Sequence, residues 1–240
     1  MKRVLPVAAL ALLAFAPALP IQAAVYTVTK TADTLDGACD HDCSLREAVS
    51  AANAAPRFSF VDVVVVPAGI YALSRTGAGE DLNATGDLDV TDPLILVGAG
   101  AGSTIIDGGS LDRVLDVLAS PVEIFGVTIR NGRVAGDGGG LLIRPADSAD
   151  LVLLHRSVIS GNQAQQGGDG GGIAVQGFLE VRESAILDNQ AERNGGGIAS
   201  GGSLALRNVT VSGNPAGCTL DRLGLDRGLQ PRPGFGRRGP

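Results

Sequence analysis

From about residue 58 the chain repeats one short pattern: a few alternating aliphatic residues, an asparagine, then a run of glycine. The strand-like segments are Val127-Thr128-Ile129-Arg130-Asn131, Val158-Ile159-Ser160-Gly161-Asn162 and Ala185-Ile186-Leu187-Asp188-Asn189. The glycine runs that follow them are Gly138-Gly139-Gly140-Leu141, Gly170-Gly171-Gly172-Ile173 and Gly195-Gly196-Gly197-Ile198. A fourth copy, Val209-Thr210-Val211-Ser212-Gly213-Asn214, has no glycine triplet behind it. The asparagines fall 31, 27 and 25 residues apart, which is the spacing of stacked repeats.

Each period holds three short strands, best seen in Gly197-Ile198-Ala199, Leu204-Ala205-Leu206 and Val209-Thr210-Val211. Connections this short leave no room for a crossover helix, which excludes a βαβ layout. The pattern predicts an all-β fold, a single-stranded right-handed parallel β-helix over residues 58–214. Val127, Val158, Ala185 and Val209 are expected above one another in its interior. Asn131, Asn162, Asn189 and Asn214 are expected at one corner, because asparagine tolerates left-handed backbone and its amides can bond one to the next as a ladder. Less regular strands precede them at 61–66, 94–97 and 105–106. Composition agrees: 35 glycines, no tryptophan and 3% aromatics suit thin aliphatic layers, and 45% hydrophobic residues are too many for low-complexity disorder.

Ahead of the coils, Ser44 followed three residues later by Glu47 forms a capping-box signature and opens a helix expected to reach about Ala55, before Pro56. Leu45, Ala48, Val49 and Ala52 share one face of it. The first coil of a β-helix exposes strand edges and open core, so residues 24–57 are read as a cap over that end.

The hexapeptide Cys43-Ser44-Leu45-Arg46-Glu47-Ala48 spells the motif that names the CSLREA-domain proteins. Asp33-Thr34, Asp36-Gly37, Pro67-Ala68-Gly69-Ile70-Tyr71-Ala72-Leu73, Gly86-Asp87-Leu88-Asp89-Val90 and the Val127-to-Gly132 repeat entry also resemble that family. The resemblance extends over about residues 25–214. It implies an exported bacterial right-handed β-helix of the pectate-lyase-like superfold, and it brings no catalytic activity with it.

The two ends carry different signals. Lys2 and Arg3, an apolar stretch and Ile21-Gln22-Ala23-Ala24 read as a signal peptide over residues 1–23. The chain is thus expected to be exported, extracellular or on the cell surface, with no transmembrane anchor. The formal net charge of −6, more negative once Lys2 and Arg3 are removed, argues against nucleic acid as a partner. Residues 215–240 turn Arg-, Gly- and Pro-rich and irregular. They read as the remnant of a longer repeat array, with Cys218 an unpaired thiol, or alternatively as a basic tail for a polyanionic surface.

In an exported chain Cys39 and Cys43 most simply form a disulfide. Two other readings stay open at this point. Cys39, His41 and Cys43 could contribute to a metal site, and Asp36, Asp40, Asp42 and Glu47 form an incomplete calcium loop.

For function, the leading expectation is a non-enzymatic repeat scaffold, adhesive or envelope-associated, whose partner would be an extracellular glycan or the cell envelope. The alternative is a polysaccharide lyase or glycoside hydrolase of the same superfold. Its candidates would be Asp107, Asp112, Asp116 and Asp137, with Arg130, Arg156 and Arg182 as bases. These read instead as turn or outward residues. No catalytic, cofactor or metal residue is assigned, and Cys39, Cys43, Ser44, Glu47 and the four asparagines are given structural roles.

Overall fold

The computed structural model describes residues 23–55, 61–145 and 151–217. Residues 1–22, Pro56 and the tail from Cys218 onward lie outside them, so the readings of a signal peptide and of an Arg-rich tail with an unpaired Cys218 fall outside the described residues. The fold is a parallel β-helix with one short helix at its N-terminal end, and all the strand pairs are parallel. Among the described residues no helix is long and apolar enough to cross a membrane.

Four faces enclose the core. The long face stacks seven strands, from Val25–Thr27 and Asp62–Val66 through Leu94–Gly98, Val122–Phe125, Leu151–His155 and Phe178–Arg182 to Ser203–Arg207. An isoleucine-rich face stacks Gly69–Ala72, Thr104–Asp107, Thr128–Arg130, Val158–Ser160, Ala185–Leu187 and Thr210–Ser212. A third face, bearing two aspartates, holds Leu88–Val90, Leu115–Val117, Leu141–Ile143, Ile173–Val175 and Ile198–Ser200. The fourth is short, with Arg133–Ala135, Gln163–Gln165 and Gln190–Ala191. This fourth strand of the later coils is unforeseen in the repeat, because Gln-Ala-Gln offers one small apolar side chain and no aliphatic alternation.

Register aligns like with like. Val64, Leu96, Ile124, Leu154 and Val181 are successive partners on the long face, all buried. Leu88, Leu115, Leu141 and Ile173 do the same on the aspartate face. Each such side chain taken from water is worth about 1.5–3 kcal/mol, and each is completed only by the coil beyond it. At the far edge that completion stops, and Leu204, Leu206 and Val211 are exposed by 37%, 46% and 50%.

The interior stack on the isoleucine face differs from expectation by one residue. Ile106, Ile129, Ile159 and Ile186 are the inward partners, followed by Val211. Val158 and Ala185 pair with Thr128 and Thr210 and are only half-buried. Val127 and Val209 fall one position earlier, level with Ser157 and Ser184, and the Val127 N–H donates to Ser157 Oγ at 3.3 Å.

The same offset removes Asn131 from the ladder. Asn131 is level with Gly161, Asp188 and Gly213, and all four have left-handed backbone, with φ of 56°, 65°, 54° and 67°. Its exposed amide donates to Asp107 Oδ2 at 2.9 Å. The ladder proper runs from Gly132, whose N–H donates to Asn162 Oδ1 at 2.8 Å. Asn162 donates its N–H and its Nδ2 to Asn189 Oδ1 at 3.0 and 2.9 Å, and Asn189 repeats both bonds to Asn214 Oδ1 at 2.9 and 3.0 Å. Each Nδ2 also reaches a carbonyl one coil back, Ile129, Ile159 and Ile186 in turn.

The glycine triplets stack as expected, and their members have separate duties. Gly138, Gly170 and Gly195 need positive φ. At Gly172 a Cβ would lie 2.6 Å from the Gly197 carbonyl oxygen, so the close approach of coils forbids any side chain.

Asn189→Ala therefore strands buried backbone groups on two coils and should cost about 1–3 kcal/mol. Asn131→Gly keeps the left-handed backbone, removes only an exposed contact and should stay within about 0.5 kcal/mol of the parent. Chemical denaturation of both variants checks the order, and equal losses would restore Asn131 to the ladder.

Candidate functional site

The CSLREA hexapeptide folds as one junction. Cys43 is disulfide-bonded to Cys39. Ser44 Oγ accepts the Glu47 N–H at 3.1 Å and Glu47 Oε2 accepts the Ser44 N–H at 2.7 Å, completing the capping box of the helix Leu45–Asn53. Glu47 Oε1 accepts from Thr34 Oγ1 and the Asp36 N–H. Burial opposes it, yet these donors hold the Glu47 carboxyl below its usual range. Leu45, Ala48, Val49 and Ala52 are all buried against the first coils, as their spacing requires.

These contacts decide between the readings of this segment. With both sulfurs in the disulfide, Cys39, His41 and Cys43 cannot form a thiolate metal site. Glu47 is engaged by the cap, and Asp36 Oδ1 accepts the Ala38 N–H. Asp40, His41 and Asp42 do lie together, but all three are exposed.

Arg46, to which sequence reasoning gave no role, is fully buried. Its Nε donates to Asp33 Oδ1 at 2.7 Å and its Nη2 to Asp33 Oδ2 at 3.2 Å. Nη1 donates to the Asp87 carbonyl at 2.7 Å and Nη2 to the Gly86 carbonyl at 2.8 Å. Although burial works against it, the guanidinium and the N–H groups of Ser74 and Arg75 hold the Asp33 carboxyl below its ordinary range. Thus Cys43-to-Ala48 grips the backbone of Gly86-Asp87-Leu88-Asp89-Val90.

That grip folds residues 77–87 over the start of the aspartate face. Asp89 and Asp116 are register partners there, with Leu142, Ala174 and Ala199 continuing their row. Strand alternation sends Leu88 and Val90 inward and Asp89 to the outer side, where the covering loop buries it. Asn83 pairs with Asp89 reciprocally. Its N–H donates to Asp89 Oδ2 at 2.7 Å, and its Oδ1 accepts the Asp89 N–H at 3.2 Å. Asn83 Nδ2 also reaches the Arg46 carbonyl and Ser50 Oγ of the helix.

Asp116 accepts from Arg113 Nη1 at 2.6 Å and from Arg144 Nη2 at 2.8 Å, and Arg144 Nη2 also meets Asp81 Oδ1 at 2.7 Å. Asp112 Oδ1 accepts the Arg113 N–H, and Asp87 Oδ2 lies 3.7 Å from Arg113 Nε. Five aspartates (81, 87, 89, 112 and 116) therefore gather on one face with Arg113 and Arg144, although in the sequence Asp112 and Asp116 read only as turn or outward residues. Two of the four suspected residues, Asp112 and Asp116, belong to this cluster and are buried, Asp116 on the outer side of its strand beneath the covering loop. One carboxylate oxygen from each of Asp81, Asp89 and Asp116 lies within 4.8 Å of the other two.

The remaining suspects are elsewhere. Asp107 pairs with Arg130 Nε at 2.8 Å and with Asn131. Asp137 Oδ1 accepts the Asp169 N–H at 2.8 Å, and Asp169 Oδ1 accepts the Asn194 N–H at 2.9 Å, a second coil-to-coil ladder. Arg156 pairs with Glu183, and Arg182 with Glu180. None of these arginines faces a free carboxylate cluster.

Comparison of the chain with protein-family models, with curated proteins and with solved structures returns no match.

Burial, then the charges of Asp112 and Asp89, push the Asp87 carboxyl up to about 8, against a smaller pull from Arg113. Burial likewise raises Asp89 to about 7, with Glu80 and Asp116 adding to it against the Asn83 N–H. Both hold a proton that the unfolded chain releases near pH 4, so their contribution is full below about 4 and is lost as pH rises through 7 to 8. Asp33, Glu47 and Glu80 have the opposite sign, and their contribution is lost in acid. In chelator, the melting temperature should fall between pH 6 and 9, and Asp87→Asn should flatten that fall. An unchanged slope in the variant would contradict the assignment.

Proposed function

We propose that this chain is an exported, non-catalytic β-helix scaffold, with the CSLREA segment as its N-terminal closure and an extracellular glycan or the cell envelope as its partner class. The observation that carries the reading is the burial of the clustered carboxylates. Asp89, Asp112 and Asp116 lie beneath residues 77–87, Asp87 is buried within that segment, and a polymeric substrate cannot reach groups that the chain itself covers. The other suspected aspartates are committed to turns and ion pairs that hold adjacent coils. A disulfide beside the cap supports an oxidising destination, as does the signal-like N-terminus. The solenoid faces leave long, nearly flat surfaces of the kind repeat proteins use for binding.

One feature favours the lyase or hydrolase alternative. Asp87 and Asp89 hold protons near neutral pH, as a general acid must. The mature protein, incubated with pectate, alginate and hyaluronan with and without calcium, should generate neither unsaturated uronide absorbance nor reducing ends. Saturable glycan binding without turnover is the expected outcome. Turnover lost on replacing Asp87 or Asp89 would establish the enzyme instead.

A further inference from the structure

We propose that Asp81, Asp89 and Asp116 form a calcium site that pins residues 77–87 to the aspartate face. Three carboxylates within 4.8 Å of one another are not sufficient by themselves, since exposed acidic groups gather without any ion. The deciding observation is Asp89. Its side chain is fully buried, its Oδ2 is held by the Asn83 N–H, and its Oδ1 has no partner. A buried carboxyl oxygen left bare is costly, and the residue that carries it is the register partner of Asp116 and contributes an oxygen to the same three-carboxyl group.

The neighbouring guanidinium groups do not answer that need. Arg113 and Arg144 both bond to Asp116, and Arg144 also bonds to Asp81, but neither bonds to Asp89. A planar fork spanning Asp81 and Asp116 cannot also enter the buried third corner. A small divalent ion can contact all three. The donor set is oxygen alone and flexible in number, because Asp81 sits on the exposed loop. That chemistry selects calcium over zinc, which prefers nitrogen and sulfur, and over magnesium, which demands a rigid octahedron. Arg144 is one-third exposed at the rim, so it can swing out and yield its place on Asp81 and Asp116.

The test uses the mature protein stripped with chelator, then titrated with CaCl2 by calorimetry and by thermal melting. Calcium should bind one to one and raise the melting temperature. Asp89→Asn and Asp81→Asn should each weaken binding at least tenfold. Asp81 lies on the exposed loop, so its variant remains folded and interpretable if Asp89→Asn is not. Arg144→Gln removes the competing cation and should tighten binding several-fold. Failure of the parent to bind calcium, equal binding by the Asp81 variant, an equal response to MgCl2, or weaker binding by Arg144→Gln would each overturn the proposal.

Discussion

No coil of this protein can bury its own apolar edge, and everything else in the structure follows from that constraint. Stacking solves it for interior coils, where aliphatic side chains meet their register partners above and below. The first coil has no predecessor, so a different element must stand in. The helix Leu45–Asn53 supplies the apolar cover, and Arg46 locks it in place. One buried guanidinium joins Asp33 before the helix to the carbonyls of Gly86 and Asp87 at the entry to the aspartate face. The pairing is bidentate and its remaining donors are satisfied, which is the condition under which a buried charge is tolerable.

Polar groups inside the stack obey the same logic of reaching the next coil. The Asn162–Asn189–Asn214 ladder and the Ser157–Ser184 pair each hand a backbone N–H to a side-chain oxygen one coil on, and in the Asp137–Asp169–Asn194 ladder the later coil's N–H reaches back to the carboxylate one coil before it. Corners bend the chain and free its N–H groups from the strand ladders. A short side chain repeated at each corner restores those bonds. The aspartate cluster departs from this economy. Its charges are concentrated beneath a loop with fewer cations than carboxylates; burial first, and then that imbalance, raises the Asp87 and Asp89 carboxyls toward neutral pH, and Asp89 is left half-satisfied.

Much of this was legible in the sequence. Glycine triplets and strand-ending asparagines announce the coils because backbone geometry restricts those positions to few residue types. The capping box and the apolar face of the helix follow from local spacing, and the disulfide follows from two cysteines four residues apart in a chain expected to be exported. What escaped depends on register or on distant contacts. Asn131 looks like its repeats but sits one residue early, because Gly132 takes the ladder position and lets Asn162 bond its backbone directly. Gln163–Gln165 forms a strand through its neighbours' pairing, not its own propensity. The aspartate cluster draws on residues 81, 87, 89, 112 and 116, which meet only once the loop has folded. Arg46, in the middle of the most recognisable motif, gives no sign in sequence that its charge is buried.

The central claim is that Arg46 couples the cap to the stack. Hydrogen exchange on the protein and on its Arg46→Met variant tests it most directly. Protection should be lost across the helix, residues 83–90 and the strands Asp62–Val66 and Leu94–Gly98, while Val158–Ser160 and Ala185–Leu187 keep theirs. Unchanged protection at residues 83–90, or an equal loss through every coil, would contradict the account.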